Sequence, residues 1–382
     1  MKILLIGTGK MGRAIAHDLV HNQKAGHLTL ANRTPDKAEE LQKWLGSGKT
    51  SVASLDINDH NRLVKLMKGH DCVVSALSYH HNFIMARAAV DAGVNYCDLG
   101  QNVEIVDREF TLTEKAAARG ITIVPDGGVA PGMVNIIAAH GIRQFDAVDS
   151  VLMRVGGLPQ DPQPPLNYNI TWSVSGLINE YSEKARILRN YEYIETNSLE
   201  EPETISFHYP FNRMEAFITS GGSSTLPLTY QGRIRELNYK TIRYPNHYHI
   251  MKAFISLGFT SMQPVSVDGA SVIPRSLLEH LLKKNLAREH AEDVLLLRVT
   301  VQGSRNGRQE TDIYEMIDYY DSRTGLTAMM RTTGFSLAIV AGMIARGTII
   351  ARGVLTQEEC IPGDLYISEL KKRGIEIKIS SA

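Results

Sequence analysis

Six residues near the start of the chain, Gly7-Thr8-Gly9-Lys10-Met11-Gly12, have the types and spacing that bring a polypeptide backbone against a pyrophosphate. That contact needs a turn without a Cβ, an open approach for the phosphates and a close helix-strand crossing, which Gly7, Gly9 and Gly12 supply in turn. The glycines follow the apolar run Lys2-Ile3-Leu4-Leu5-Ile6 and open the amphipathic run Met11 to Val20, so they read as strand, turn and helix. About 20 residues further on, a carboxylate would bind the ribose hydroxyls of NAD and repel a 2′-phosphate. Asn32-Arg33-Thr34 stands there instead, an amide, a guanidinium and a hydroxyl suited to that phosphate and to the adenine face. A solvated arginine at a strand end would account for the cation but not for the missing acid. The two motifs predict a bound dinucleotide, NADP first and NAD as second choice.

Further candidates fall where strands are expected to end. Asp56 is placed for the adenine amino group, or is simply an exposed loop carboxylate. Ser75-Ala76-Leu77 offers small residues and backbone to the nicotinamide end, and Tyr79 is close enough in sequence to reach a reacting centre. His80 and His81 are adjacent, so their side chains point apart, and no metal site is expected. Asp98-Leu99-Gly100 puts a carboxylate at the next strand end. In Pro125-Asp126-Gly127-Gly128-Val129-Ala130-Pro131-Gly132-Met133, Asp126 either caps the helix that begins near Met133 or touches substrate. Later, Thr219-Ser220-Gly221 begins a hydroxyl-rich segment able to hold a carboxylate through backbone amides. Strand alternation in Tyr239-Lys240-Thr241-Ile242-Arg243-Tyr244 puts Lys240 on one face and Arg243 on the other, with Arg243 either a carboxylate fork or a surface ion pair.

These residues need a scaffold, and the strand-helix rhythm provides one. Strands are expected near residues 2–6, 28–31, 51–55, 71–76, 94–97 and 121–124, with helices at 35–45, 60–68, 82–92 and 107–119 between them. Six strands joined by helices imply a doubly wound parallel sheet, a Rossmann domain over residues 1–130. Residues 131–332 read as a second α/β domain with a mixed, largely antiparallel sheet for substrate binding and oligomerisation, including strands at 294–302 and 314–319. A closing helix from about Thr333 to Arg346 is free to pack on either domain, and residues 333–382 are assigned provisionally to the first.

Composition narrows the class. Lys plus Arg equals Asp plus Glu at 41 each, so no global field recruits nucleic acid or an anionic membrane. Three cysteines are too few and scattered for a disulfide framework, which suits a reducing cytoplasm. The chain starts on its first strand without a leader pattern, and the apolar stretch near Phe335 to Ala345 is short and contains glycine, so no membrane span is expected.

At these residues the chain resembles the saccharopine dehydrogenase family, and within it the bacterial lysine 6-dehydrogenase group. The resemblance is carried by Gly7 to Gly12, Ala76-Leu77 with Tyr79 and Asn82, Asp98-Leu99-Gly100, and Pro125-Asp126 with Gly128 to Met133. In the second domain it is carried by Glu215-Ala216-Phe217, Thr219 to Gly222, Tyr239 to Tyr244 with His247, and Ile361-Pro362-Gly363-Asp364. It implies a nicotinamide cofactor, a small amino-acid substrate, a homodimer or higher oligomer, Arg243 as a carboxylate ligand, and Tyr79, Asp126 and Lys240 in the active site. Thr219, Ser220, Gly221 and His247 then join Arg243 as substrate-facing candidates, and Met133 joins the cofactor-facing ones. The implied reaction is oxidation of a terminal CH–NH₂, lysine to 2-aminoadipate 6-semialdehyde and ammonia, in a closing cleft between domains. Asn32-Arg33-Thr34 departs from the lysine enzymes, which commonly carry Asp there and use NAD, and matches the saccharopine- or carboxynorspermidine-forming reductases better. A non-catalytic NADPH sensor is the remaining alternative.

Overall fold

A computed structural model describes residues 1–100, 102–170, 173–288 and 291–381. The chain divides into two compact units, Met1–Arg143 with Met330–Ile377, and Gln144–Met329 with Lys378–Ala382.

The first unit holds strands β1 (Lys2–Ile6), β2 (His27–Asn32), β3 (Thr50–Ser54), β4 (Cys72–Ser75), β5 (Asn95–Asp98) and β6 (Thr122–Val124). A seventh, Gly353–Val354, extends the sheet beyond β6, and all pairings are parallel in the order Gly353–Val354, β6, β5, β4, β1, β2, β3. The order reverses at β1, so the crevice outside the carboxyl ends of β1 and β4 is where a ligand is expected. Helices α1 (Lys10–His21) and α2 (Pro35–Leu45) follow β1 and β2. Apart from Asp18, the buried residues of α1 are small or aliphatic, Gly12, Ala14, Ile15, Ala16 and Leu19, clustered on one side of the helix. The helix expected over 107–119 is two helices, Val103–Phe110 and Thr113–Ala118, broken near Thr111-Leu112.

Two differences from expectation have physical causes. The buried helix Met133–Ile142 belongs to the first unit, which moves the unit boundary from residue 130 to after Arg143. The closing helix spans Ala328–Ala345, so it starts five residues earlier than the apolar run suggested. By length and composition it could cross a membrane, but 83% of it is buried, as in a core helix. Gly334 lets it approach α1, since a Cβ there would lie 2.6 Å from that of Ala14.

The second unit is built on a nine-stranded mixed sheet among the described residues. Its long central strands are Ala147–Pro159 and Asp293–Arg305, antiparallel to each other, while Glu236–Arg243 runs parallel to Ala147–Pro159. The remaining pairings are antiparallel. Gly156 sits inside a strand because Glu236–Arg243 approaches so closely that a Cβ there would stand 2.5 Å from the Ile242 carbonyl oxygen, while one at Gly157 would meet the end of the Met329 side chain at 2.3 Å.

Asp293 caps the start of the helix Ala328–Ala345, accepting hydrogen bonds from the Ala328 and Met329 amides at 2.6 and 2.9 Å. Burial, with repulsion from Asp318, lifts its carboxyl to about 6 despite those bonds. Its folded pKa lies above the unfolded one, so the stability it contributes is complete below about pH 4 and is lost as pH rises through about 6. Asp293→Asn keeps a cap acceptor without the ionisation. We expect the variant's melting temperature to fall less steeply over that interval than the parent's, and parallel profiles would refute the assignment.

Candidate active site

In the first unit, the structure brings the sequence-predicted cofactor residues together around the ends of β1, β2 and β4. Gly7 has φ +101°, and a Cβ there would lie 2.7 Å from the Ala76 carbonyl oxygen and 3.2 Å from Leu77, so Ala76 and Leu77 wall the turn. A Cβ at Gly12 would lie 2.0 Å from the Gly7 carbonyl oxygen, which makes this the close crossing. Gly9 differs: nothing stands within 4 Å of where its Cβ would be. It is exposed at the N-terminus of α1, whose first turn carries no acid and no side-chain cap, together with Lys10. That open space before free helical amides is what a pyrophosphate needs.

The Asn32 amide donates to the Thr8 hydroxyl, tying the end of β2 to the glycine turn. Arg33 and Thr34 are exposed beside it, and Thr34 is the N-cap of α2 without using its hydroxyl as a cap. A guanidinium, a hydroxyl and a helix N-terminus at one place fit a 2′-phosphate. Asp56 is exposed, but its carboxylate is held in a local turn by the Asn58 backbone and side-chain amides, each at 3.0 Å. Met11 is half-buried, whereas Ser75 and Met133 are buried, Met133 inside its own helix.

A cluster of buried acids lies at the carboxyl ends of β5 and β6. Asp98 is fully buried, and its Oδ1 accepts from the Gly100 amide at 2.7 Å and the Asp126 amide at 3.4 Å. Asp126 has a left-handed backbone, φ +64°, uncommon for a residue with a side chain. Its carboxyl group lies over Gly100, where a Cβ would come within 1.5 Å of Oδ1. The first amides of the helix Met133–Ile142 bond to the backbone oxygens of Gly128, Val129 and Gly132, so capping does not call on Asp126. Burial raises Asp98, and burial plus the charge of Asp98 raises Glu109 well above the ordinary carboxylate range. Tyr79 is 8% exposed in the short turn Tyr79–His81, its ring 3.9 Å from that of His80.

In the second unit, Thr219, Ser220, Gly221, Arg243 and His247 come together, but with divided roles. The Thr219 and Thr241 hydroxyls meet at 2.7 Å. Ser220 is spent on the fold: its amide bonds to the Glu180 carbonyl and its hydroxyl to the Asn179 carbonyl. Gly221 takes the left-handed turn, φ +85°, and the following Ser224 amide bonds back to its carbonyl oxygen. The hydroxyl-rich segment therefore has fewer amides to offer than its composition suggested.

Arg243 is 3% exposed. Its Nε donates to the Tyr181 hydroxyl at 2.8 Å, one terminal nitrogen donates to the Ile242 carbonyl at 2.9 Å, and the other reaches Glu180 Oε2 at 3.3 Å. The guanidinium also packs 4.7 Å from the Tyr168 ring centre. Tyr181 in turn contacts His247 Nε2 at 3.0 Å, and His247 Nδ1 lies 3.0 Å from the Leu166 carbonyl oxygen. Burial and the Arg243 charge push the His247 imidazole down to about 3. It is therefore neutral, with Nδ1–H donating to Leu166 and Nε2 accepting from Tyr181. His247, 1% exposed, supports Arg243 from behind and does not face a ligand.

Lys240 is separated from this group. It lies on the opposite face of the strand, where its ammonium donates to Glu203 Oε2 at 2.8 Å and to the Glu201 carbonyl at 2.7 Å, while Arg154 pairs with the same Glu203. The fold thus engages the ammonium on the face away from Arg243.

Glu180 and Tyr181 were not anticipated. They sit on the helix Val174–Ser182, whose pattern is that of any half-buried helix, and only the fold turns them toward Arg243. Tyr181→Phe deletes the hydroxyl that links Arg243 to His247. We expect it to lower unfolding free energy by about 1–2 kcal/mol, the cost of leaving buried partners unsatisfied; an unchanged denaturation midpoint would count against this linkage.

Residues 3–124 match the saccharopine dehydrogenase NADP binding domain, and residues 128–375 match the saccharopine dehydrogenase C-terminal domain. Carboxyaminopropylagmatine dehydrogenase of Synechocystis sp. is 24% identical, the match covering 98% of this chain and 96% of the relative. Carboxynorspermidine synthase of Vibrio alginolyticus is also 24% identical, with the same coverage of each chain. Saccharopine dehydrogenase [NADP(+), L-glutamate-forming] of Saccharomyces cerevisiae is 25% identical and covered to 98% on both sides. The apo structure of the S. cerevisiae L-Glu-forming saccharopine dehydrogenase superposes with a TM-score of 0.82 at 21% identity, covering 100% of this chain and 99% of that one. The two family matches span nearly the whole length, and the chain belongs to the saccharopine dehydrogenase family as an NADP-binding oxidoreductase.

Proposed function

We propose that this protein is an NADPH-dependent reductase that joins an amino-acid semialdehyde to an amine by reducing their imine. The aldehyde and amine lose water to form C=N, and hydride plus a proton then give the secondary amine. The observation that carries this reading is the exposed Arg33-Thr34 pair at the end of β2, which fits the phosphorylated dinucleotide that reductive chemistry generally draws on. The relatives' names support it, since saccharopine and carboxynorspermidine are carboxylated secondary amines.

When bound, the dinucleotide supplies the hydride. The chain's own work is to orient and to move protons. Arg243 holds a substrate carboxylate. Asp126, fixed over Gly100 at the carboxyl end of the sheet, takes and returns the proton at the substrate nitrogen, with Tyr79 beside the reacting atoms. Lys240 has no part in this, because Glu203 holds it.

The second reading is oxidative deamination of lysine to 2-aminoadipate 6-semialdehyde and ammonia. It draws on the Arg243 environment, which suits a free α-amino acid equally well. Nicotinamide absorbance decides between them. The first reading expects NADPH oxidation that requires both 2-aminoadipate semialdehyde and a primary amine such as glutamate. Lysine-dependent NADP⁺ reduction with ammonia release would replace it with the second, and cofactor binding without turnover on any pair would leave a sensor.

A further inference from the structure

Arg243 and Glu180 put opposite charges side by side in the second unit, with Arg243 NH2 and Glu180 Oε2 3.3 Å apart. The two differ in access. The Arg243 side chain is 3% exposed, while that of Glu180 is 19% exposed, so the carboxylate is the outward member of the pair. The guanidinium is held from behind by Tyr181 and the Ile242 carbonyl, and one Glu180 oxygen lies 3.4 Å from the Thr241 hydroxyl. Five N–H donors on an arginine, with three engaged by these bonds, leave one hydrogen on each terminal nitrogen for a further acceptor.

A pair that served only to neutralise Arg243 would gain from burying both members, because solvent weakens an exposed ion pair. Leaving the carboxylate partly open and the guanidinium behind it suits a ligand that brings both charges. An α-amino acid carries a carboxylate and an ammonium on one carbon, close enough together to meet two charged groups that are themselves adjacent. Burial also raises Glu180 above the ordinary carboxylate range against the pull of Arg243 and the Thr241 hydroxyl, so a second cation beside it would favour its charged form.

We propose that Glu180 is the ammonium-binding residue of the substrate site and, with Arg243, selects the zwitterionic α-amino-acid end of the substrate. This rests on the proposed function for its setting, but it concerns recognition alone. In the reductive reaction the zwitterion is the end of the semialdehyde remote from its carbonyl carbon. Neither group then takes part in bond making, and the site rejects carboxylic acids and amines that carry only one of the charges.

The test uses unreactive ligands, so it does not depend on turnover. Full-length protein with NADP⁺ is titrated by calorimetry with L-norleucine, hexanoate and pentylamine, which present both charges, the carboxylate alone and the ammonium alone. The parent is expected to bind L-norleucine tightest. Glu180→Gln is expected to cut the preference for L-norleucine over hexanoate by about 10- to 100-fold, the loss of one charge-assisted bond. Equal weakening of both ligands would make Glu180 a counterion only and overturn the proposal, as would a parent that does not prefer L-norleucine or that binds pentylamine as well. Glu180→Asp retains the charge but withdraws it, and is expected to fall between the parent and Gln; an unchanged ratio also overturns the proposal. Failure of imine reduction with the ligand preference intact would instead remove the proposed reaction and leave the recognition site.

Discussion

Replacing Arg373 with methionine is expected to cost about 3–5 kcal/mol of stability at neutral pH, the penalty for stranding a buried charge. Arg373 clasps Asp18 of α1 with two bonds, Nε to Oδ1 at 2.6 Å and NH2 to Oδ2 at 3.0 Å, and the two side chains are 1% and 0% exposed. It also holds Glu369 through its remaining terminal nitrogen at 2.7 Å. The C-terminal helix Gly363–Lys372 is thereby tied to the helix whose N-terminus faces the dinucleotide. Urea unfolding should show the full deficit in Arg373→Met and recovery of most of it in Asp18→Leu/Arg373→Met, because a well-packed apolar pair replaces a buried ion pair at little cost. The deficit should also depend on pH. Burial already raises Asp18 above the ordinary carboxylate range against the pull of Arg373 and Asn22, and removing Arg373 takes away the larger of those pulls and raises it further. Its protonated form then stabilises the fold at low pH, and that stability is lost as pH rises, so the variant should look better at about pH 5 than at about pH 7.5. A deficit that is the same at both values would show that Asp18 is not stranded.

The first unit was the more legible half because its signals are local. Each strand is a short apolar run, each helix an amphipathic one, and Gly7, Gly9 and Gly12 mark the turn by what their missing side chains permit. The second unit depends on pairings distant in sequence. Alternation in Tyr239 to Tyr244 correctly separates Lys240 from Arg243, but nothing in those six residues says that Glu203, 37 positions earlier, neutralises Lys240. Likewise His247 looks like a ligand-facing residue until Tyr181, 66 positions away, is seen to occupy its Nε2. Glu109 shows the same limit in the first unit, a helical carboxylate whose burial beside Asp98 appears only once β5 and its helix are packed. Charged residues carry the ambiguity: type and period are written in the sequence, while the partner that decides function from structure is supplied by the fold.

Arg33→Ala is expected to weaken NADPH binding by about 10- to 100-fold, the value of one or two charge-assisted bonds to the 2′-phosphate, and to leave NADH nearly untouched. The asymmetry follows from where the groups lie. Gly9 and the first turn of α1 serve the pyrophosphate common to both dinucleotides, and they remain in the variant. Arg33 is exposed at the end of β2, where the cofactors differ, and no carboxylate in Asn32-Arg33-Thr34 takes over the ribose hydroxyls when it is removed. The loss therefore lowers discrimination without creating a good NAD site. Fluorescence titration with each reduced dinucleotide reads this directly and needs no substrate. Raising ionic strength should narrow the parent's preference as well, since an exposed guanidinium-phosphate pair is screened over a Debye length of about 8 Å at physiological salt. Thr34→Ala, which removes a neutral hydroxyl, should cost less than Arg33→Ala. If NADPH and NADH weaken together, Arg33 belongs to the pyrophosphate side of the site or to its folding, and the phosphate preference must lie with other groups near the start of α2.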